Sequence, residues 1–321
     1  GNPDLIAANR GSNNVSVLPG HGDGTFLRAM TYGTLKEAQS LAIGDLDGDG
    51  NLDLAVACRG DVPNYIPGIS ILLGLGDGSF QTAVDYDAGG SPRSVAIGDL
   101  DGDNHPDLAV ASADDNVSIL LGHGDGTFQE AVYYQVVESP RSVAVSDLDG
   151  DGDLDLAVAT WIWPDDGVKV LLGHGDGTFQ VAVNYDAGFR PRSVAIGDLD
   201  GDNHPDLAVA NEGSDDVSIL LGLGDGTFQE AVSYGAGDDP FSVAIGDLNG
   251  DNHPDVVVAN SWDDNVSVLL GNGDGTFQSA VNHWVGDYPH SVAIGDLDGD
   301  GTPDLAVANY YDHNASVLLG N

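Results

Sequence analysis

The chain repeats itself. The segment PDLAVA or a close variant recurs with its aspartate at 4, 53, 107, 155, 206, 255 and 304, at intervals of 49, 54, 48, 51, 49 and 49 residues. A second segment, GDGTF or GDGSF, recurs six times with its aspartate at 23, 77, 125, 176, 225 and 274. A third, of the type SVAIGD, also recurs six times. A period near 50 residues restricts the fold to an array in which each unit buries its apolar faces against its neighbours. No linker or shift of composition interrupts the series, so residues 1–321 are expected to form one domain.

Each unit reads as four short strands: A (SVAIGD), B (DLAVA), C (VSILLG) and D (FQEAVSY). Turn signals separate them, and amphipathic patterns of helical length are missing. Strand B puts Leu108 and Val110 on one face and Ala109 and Ala111 on the other; in strand C, Val117, Ile119 and Leu121 share a face. A sheet apolar on both faces is buried on both sides. The expected fold is therefore all-β, a β-propeller of four-stranded antiparallel blades, with a solenoid of the same units as second choice. B and C strands occur seven times, A and D strands six times. Seven blades follow, at approximately 1–35, 36–88, 89–136, 137–187, 188–236, 237–285 and 286–321, the first lacking its A strand and the last its D strand. The unfinished ends suggest a piece of a longer polypeptide or of a larger assembly.

Ahead of each complete B strand lies an acidic loop such as GDLDGDGNLDLAVA at 44–57. Counting from its first aspartate, positions 1, 3, 5 and 9 carry side-chain oxygens. They are Asp45, Asp47, Asp49 and Asp53; Asp99, Asp101, Asp103 and Asp107; Asp147, Asp149, Asp151 and Asp155; Asp198, Asp200, Asp202 and Asp206; Asp247, Asn249, Asp251 and Asp255; and Asp296, Asp298, Asp300 and Asp304. Hard oxygens at alternate positions of a tight loop suit Ca²⁺ better than Mg²⁺ or Zn²⁺, so about six calcium sites are expected. Position 6 is always Gly or Asn, the residues that tolerate a left-handed backbone. Position 7 varies, as Asn51, His105, Asp153, His204, His253 and Thr302, which points to its backbone carbonyl and not to its side chain as the ligand. The three histidines are therefore not expected to ligate.

These loops resemble the first half of an EF-hand loop, but the closing acid is Asp at position 9 and strands flank them. DLDGDGNLDLAVA followed by VSVLLG and GDGTF resembles the FG-GAP/VCBS repeats of the integrin α-subunit propeller and of many bacterial surface proteins. The resemblance covers essentially the whole chain. It implies a seven-bladed propeller with calcium in the A–B loops. Gly1-Asn2-Pro3-Asp4 departs from it, holding only positions 6–9 of a seventh loop, so a site there should be weak or empty.

Strand order puts the A–B loops and the GDGTF turns on one rim and the B–C and D–A connections on the other. The first rim is nearly invariant between repeats, and its GDGTF aspartates read as turn residues. The second rim varies. Its B–C loops carry Tyr65, Trp161, Trp163, Trp262, Tyr310 and Tyr311, and Trp284 is read in a D–A connection. These aromatics suit sugar stacking or a protein contact, or else cover the blade ends. Arg93, Arg141 and Arg192 begin three A strands near the axis, to receive an acidic group or to pair with loop aspartates. Arg59-Gly60-Asp61 is a three-residue match to an integrin-recognition tripeptide and reads as chance. Asn14, Asn116, Asn265 and Asn314 head N-x-S sequons, yet Asp216 takes the equivalent place in another copy, so a turn role competes with glycosylation.

Charge and composition narrow the function. The net charge is −43, with 52 acidic and 9 basic residues, which excludes the basic footprint of a nucleic-acid or anionic-membrane partner. Of the acids only Glu37, Glu130, Glu138, Glu212 and Glu230 are glutamate, a bias toward the shorter carboxylate of turns and cation loops. Cys58 is the single cysteine, and no apolar run is long enough to span a membrane. No nucleophile elbow, HExxH or isolated Ser/His/Asp set occurs, so an enzyme is not expected. The expected role is an extracellular or cell-surface adhesion or scaffold propeller that binds a protein or glycan on the varied rim. A lectin, or a subunit of a filament or surface layer, is the alternative.

Overall fold

The computed structural model describes residues 2–60, 67–136, 139–161 and 166–320. Seven antiparallel sheets make a seven-bladed propeller. Blade 3 shows the pattern: strand A Pro92–Gly98, B Asp107–Ser112, C Asn116–Leu120 and D Val132–Gln135, in spatial order A-B-C-D. Val110 of strand B pairs with Val95 on its inner side and Ser118 on its outer side. Blades 2 to 6 have four strands. Blade 1 has B (Leu5–Asn9), C (Asn14–Leu18) and D (Met30–Gly33); blade 7 has A (Pro289–Gly295), B (Asp304–Asn309) and C (Asn314–Leu318). Tight B–C turns are closed by residues in the left-handed region, such as Asp115 at φ 71° and Asp264 at φ 52°, where a short polar side chain is tolerated.

The large face of one blade packs on the small face of the blade before it. Leu108 and Val110 of blade 3 lie against Ala55 and Ala57 of blade 2, and Ala109 and Ala111 against Leu156 and Val158 of blade 4. The alternation of size along strand B is thus the shape that lets adjacent blades interlock. In blades 1 to 5 a tyrosine of strand D meets the GDGTF or GDGSF phenylalanine of the next blade edge-on, as Tyr86 meets Phe128 at 5.4 Å and 83°. Successive A strands are tied around the axis by serine, Val143 N–H donating to Ser94 Oγ at 3.2 Å and Val194 N–H to Ser142 Oγ at 3.4 Å.

The ring closes through the same contact that joins its interior blades. Gly126 N–H of blade 3 donates to Leu46 O of blade 2 at 3.1 Å, and Gly24 N–H of blade 1 donates to Leu297 O of blade 7 at 3.2 Å. Blade 1 has no A strand on its inner side, and its B strand is only half-buried where that of blade 2 is fully buried. Two expectations need correction. Strand D is not continuous from the GDGTF phenylalanine: Phe128 makes one bridge with Gly122, and the paired strand starts only at Val132. Trp284 is not in a connection but ends strand D of blade 6, paired with Asn265.

Candidate functional site

Each acidic loop is organised by its own carboxylates. Asp45 takes Gly48 N–H at 2.8 Å on Oδ1 and Gly50 N–H at 2.9 Å on Oδ2, while Asp49 Oδ1 takes Asn51 N–H at 2.7 Å. Position 6 needs a positive φ: 85° at Gly50, 66° at Asn104 and 66° at Asn252. Asp53, fully buried, accepts Leu46 N–H at 2.7 Å and Gly74 N–H at 2.6 Å. The Leu46 side chain fills the core between blades 2 and 3, so position 9 of the loop holds position 2 in the interlock. Thus the loop is also the joint between blades. Gly122, the counterpart of Gly74 in blade 3, has no room for a side chain, because a Cβ would lie 2.2 Å from Pro106 O.

The loops draw like charges together. One carboxylate oxygen from each of positions 1, 3 and 9 lies within 4.8 Å of the others in Asp45/Asp47/Asp53, Asp99/Asp101/Asp107, Asp147/Asp149/Asp155 and Asp198/Asp200/Asp206; in the last loop the set is Asp296/Asp298/Asp300. Position 5 stands outside the cluster in the first four. Asp103, for instance, takes His105 N–H at 2.8 Å. The loop from Asp247 keeps the same backbone bonds, with Asn249 in place of the second carboxylate. Burial pushes the carboxyls of Asp107, Asp155 and Asp206 up to about 6, and the neighbouring loop aspartates push in the same direction. Among the described residues Asp99 Oδ1 is buried without a hydrogen-bond partner. An all-oxygen donor set, converging charge and an orphaned carboxylate oxygen fit a hard divalent cation.

The position-7 side chains lie over the glycine ahead of each GDGTF aspartate. A Cβ on Gly124 would meet the His105 ring at 2.3 Å, and one on Gly273 would meet His253 Nδ1 at 2.2 Å. The GDGTF aspartates, exposed, each accept from the Thr or Ser two residues on, as Asp125 does from Thr127 N–H at 3.1 Å, and these bonds lower their pKa. At the first repeat, Asp4 takes Gly20 N–H at 2.8 Å as Asp53 takes Gly74, but among the described residues no acidic cluster forms around it.

The opposite rim gathers positive charge. Of the 9 basic residues, Arg10, Lys36, Arg59, Arg93, Arg141, Arg190 and Arg192 lie in its connections or at the adjoining ends of A strands. Arg192 lies over the Phe241 ring at 3.9 Å, Phe241 stacks on His290 at 3.9 Å, and His290 on Tyr310 at 4.7 Å. Arg141 lies over Trp161 at 4.0 Å. Burial and then the charge of Arg192 push the Arg93 guanidinium down to about 10, and burial followed by the charges of Arg192 and Arg10 pushes His290 down to about 4.

The model of the FG-GAP-like repeat matches residues 1–56, 57–110, 99–158, 147–209, 198–258 and 247–307. The chain belongs to the FG-GAP-like repeat family. No curated protein matches it. Among solved structures, it is similar to the periplasmic gluconolactonase of Pseudomonas aeruginosa (TM-score 0.74, 16% identity, 98% of this chain and 91% of that one). It is also similar to a lectin of Burkholderia pseudomallei (0.70, 14%, 99% and 92%) and to a functionally unknown protein of Desulfotomaculum acetoxidans (0.70, 12%, 97% and 90%). At these identities the likeness is one of fold.

Within this FG-GAP propeller the expected ligand-face residues do not all behave alike. Trp262, Tyr310 and Tyr311 are exposed, whereas Trp161 is half-buried beneath Arg141 and Arg190. Trp163, Tyr65 and the Asp61 of the tripeptide lie outside the described residues. Among the described residues none of Arg93, Arg141 and Arg192 pairs with an aspartate; Arg192 pairs with Glu212 at 3.4 Å. Asn265, buried, accepts from Asn260 Nδ2 at 2.8 Å, and Asp216 does the same for Asn211, so this sequon position is a turn tie. Sequence reading missed Phe241, His290 and Gln39. Their signal was positional, since each follows the first residue of an A strand as Arg93, Arg141 and Arg192 do.

Proposed function

We propose that this protein is an extracellular or cell-surface calcium-binding propeller that acts as an adhesion or scaffold module and takes its partner on the rim opposite the acidic loops. The observation that carries the reading is the division of labour between the rims. Six near-identical loops join adjacent blades on one, and the residues that differ from blade to blade stand on the other. The oxygens at positions 1, 3, 5 and 9 would hold the ions, with the position-7 carbonyl. A bound cation supplies the positive charge that lets the converging carboxylates stay ionised. The rest is done by the chain: position 9 holds the position-2 leucine, and the loop backbone takes the hydrogen bond of the next blade. The module works by binding and not by catalysis. Calorimetric titration of calcium into chelator-treated, dialysed protein tests the metal part, with about six equivalents expected; no uptake would overturn it.

A lectin is the second reading. It is favoured by Trp262 and Tyr311, which expose 71% and 62% of their surface on the varied rim, where a ring face is open to a sugar.

A further inference from the structure

All six A strands carry the same irregularity. The strand pairing skips one residue between Pro92 and Ser94, and does so at the same place in the other five. A bulge re-aims the side chain of the residue it leaves unpaired. Here those residues are Gln39, Arg93, Arg141, Arg192, Phe241 and His290, one per blade from blade 2 to blade 7. They form a ring at the axial mouth of the varied rim, divided into a cationic arc in blades 3 to 5 and an aromatic arc in blades 6 and 7. The aromatic arc continues outward. Tyr310 stacks on His290, and Tyr311 lies 4.6 Å from Tyr288. Burial raises the pKa of Asp239 to about 6 and raises that of Tyr288, and Trp262 lies close enough to offset part of each rise.

The ring is rich in donors with nothing to donate to. Among the described residues Gln39 Nε2, Arg93 Nε and Arg141 Nε are buried donors without a hydrogen-bond partner, and His290 Nε2 is buried and unpartnered beside them. Leaving a buried donor unmade is costly, and it is rare to find several around one opening. Arg93 and Arg192 add mutual repulsion. An anion at the mouth would remove both costs. The surroundings limit its size: Glu37, Glu212 and Asp239 stand near the arginines, and the whole chain is acidic, so a densely charged polyanion is repelled. A single planar carboxylate matches the guanidinium fork. The exposed rings of Trp262 and Tyr311 beside it offer flat apolar platforms for pyranose faces.

We propose that the axial mouth binds a glycan ending in a carboxylated sugar, the carboxylate on the arginine arc and the adjoining sugars on the aromatic arc. This rests on the reading of the varied rim as the ligand face, and it names the ligand's chemistry.

The test uses the calcium-loaded full chain on an array of oligosaccharides ending in uronic or sialic acid, each beside its neutral counterpart, followed by calorimetry on the best pair. An acidic peptide of Asp and Gly is titrated in parallel. The carboxylated glycan should bind at least tenfold tighter than the neutral one. Arg141→Gln and Arg93→Gln should each reduce that preference tenfold or more, and Trp262→Ala should weaken both members of the pair alike. Calcium uptake and melting temperature of each variant check that it is folded. Equal binding of acidic and neutral glycans, binding of no glycan, or binding of the peptide alone would overturn the proposal. None of these results touches the calcium reading, which fails only if the ions are not taken up.

Discussion

The two rims of this propeller solve the same electrostatic problem in opposite ways. On the loop rim, carboxylates converge, yet nearly every one of them is held by backbone N–H groups in the same pattern from blade to blade. Asp53, Asp107, Asp155, Asp206, Asp255 and Asp304 each take the position-2 N–H and a glycine N–H beyond strand C. On the axial mouth, arginines converge, and among the described residues the Nε atoms of Arg93 and Arg141 are left without partners. The first arrangement holds its carboxylates in place with the chain's own backbone. The second leaves donors unmet. Repetition with satisfied backbone therefore supports a structural role for the loops, and variation with unsatisfied donors supports the binding role proposed for the mouth.

The largest effect should come from the loop rim. An ion that binds the folded state alone stabilises by about 2.7 kcal/mol per site at a hundredfold excess over Kd, and six sites act on one ring. Chelation should lower the melting temperature by ten degrees or more, and calcium should restore it. A melting curve indifferent to chelator would erase the contrast between the rims. Next in size is the joint itself. Leu148→Ala removes a buried side chain from the core between blades 4 and 5 and should cost about 2–5 kcal/mol in calcium. Val181→Ala, at a side chain 90% exposed, should change stability by less than about 0.5 kcal/mol. A Leu148→Ala loss no larger than that of Val181→Ala would separate the loops from the interlock.

How far the sequence foretold these rims depends on whether a residue's role is local. Asp45, Asp47 and their copies could be read because six repetitions average out accident and the loop is contiguous. The propeller and its two incomplete blades were legible because the Leu/Ala alternation of strand B records which neighbour it touches. The stack from Arg192 through Phe241 and His290 to Tyr310 was not legible. Its members come from three blades, and Arg192, Phe241 and His290 share only a place, the residue after the first of an A strand, where the bulge lies and the residue type differs from blade to blade. The break in strand D escaped because FQEAVSY is apolar enough to read as one strand, and only the pairing shows the interruption, a lone bridge from Gly122 to Phe128 and a ladder that starts at Val132.

A smaller, directional effect sharpens the comparison through pH. In chelator, Asp107, Asp155 and Asp206 titrate near 6 in the folded protein, against an ordinary 3.8. Between those values the folded state holds protons that the unfolded state has released, so stability falls as pH rises from about 4 to 6. Metal-free protein should therefore melt higher at pH 4.5 than at pH 7 as far as these groups decide it. His290 opposes this, being held near 4 against 6.5, so acid costs stability there. Repeating the scan on His290→Gln removes the opposing contribution and should steepen the rise. In calcium the order reverses, because protons then compete with the ions. A metal-free protein whose melting temperature drops steadily below pH 6, in both forms, would show that the loop carboxylates are not strained by one another.

The smallest effect on stability belongs to the residue assigned the plainest binding role. Trp262 has 71% of its surface in solvent, so little apolar area returns to water when it is truncated. Its indole contacts Asp239 and Tyr288 at the rim, where hydrogen bonds compete with water. Trp262→Ala should thus shift stability by less than about 0.5–1 kcal/mol and leave calcium uptake unchanged. A loss of several kcal/mol, measured by chemical denaturation in calcium, would make Trp262 a cover for the blade end. The aromatic arc would then belong to the same structural class as the Tyr–Phe pairs between blades.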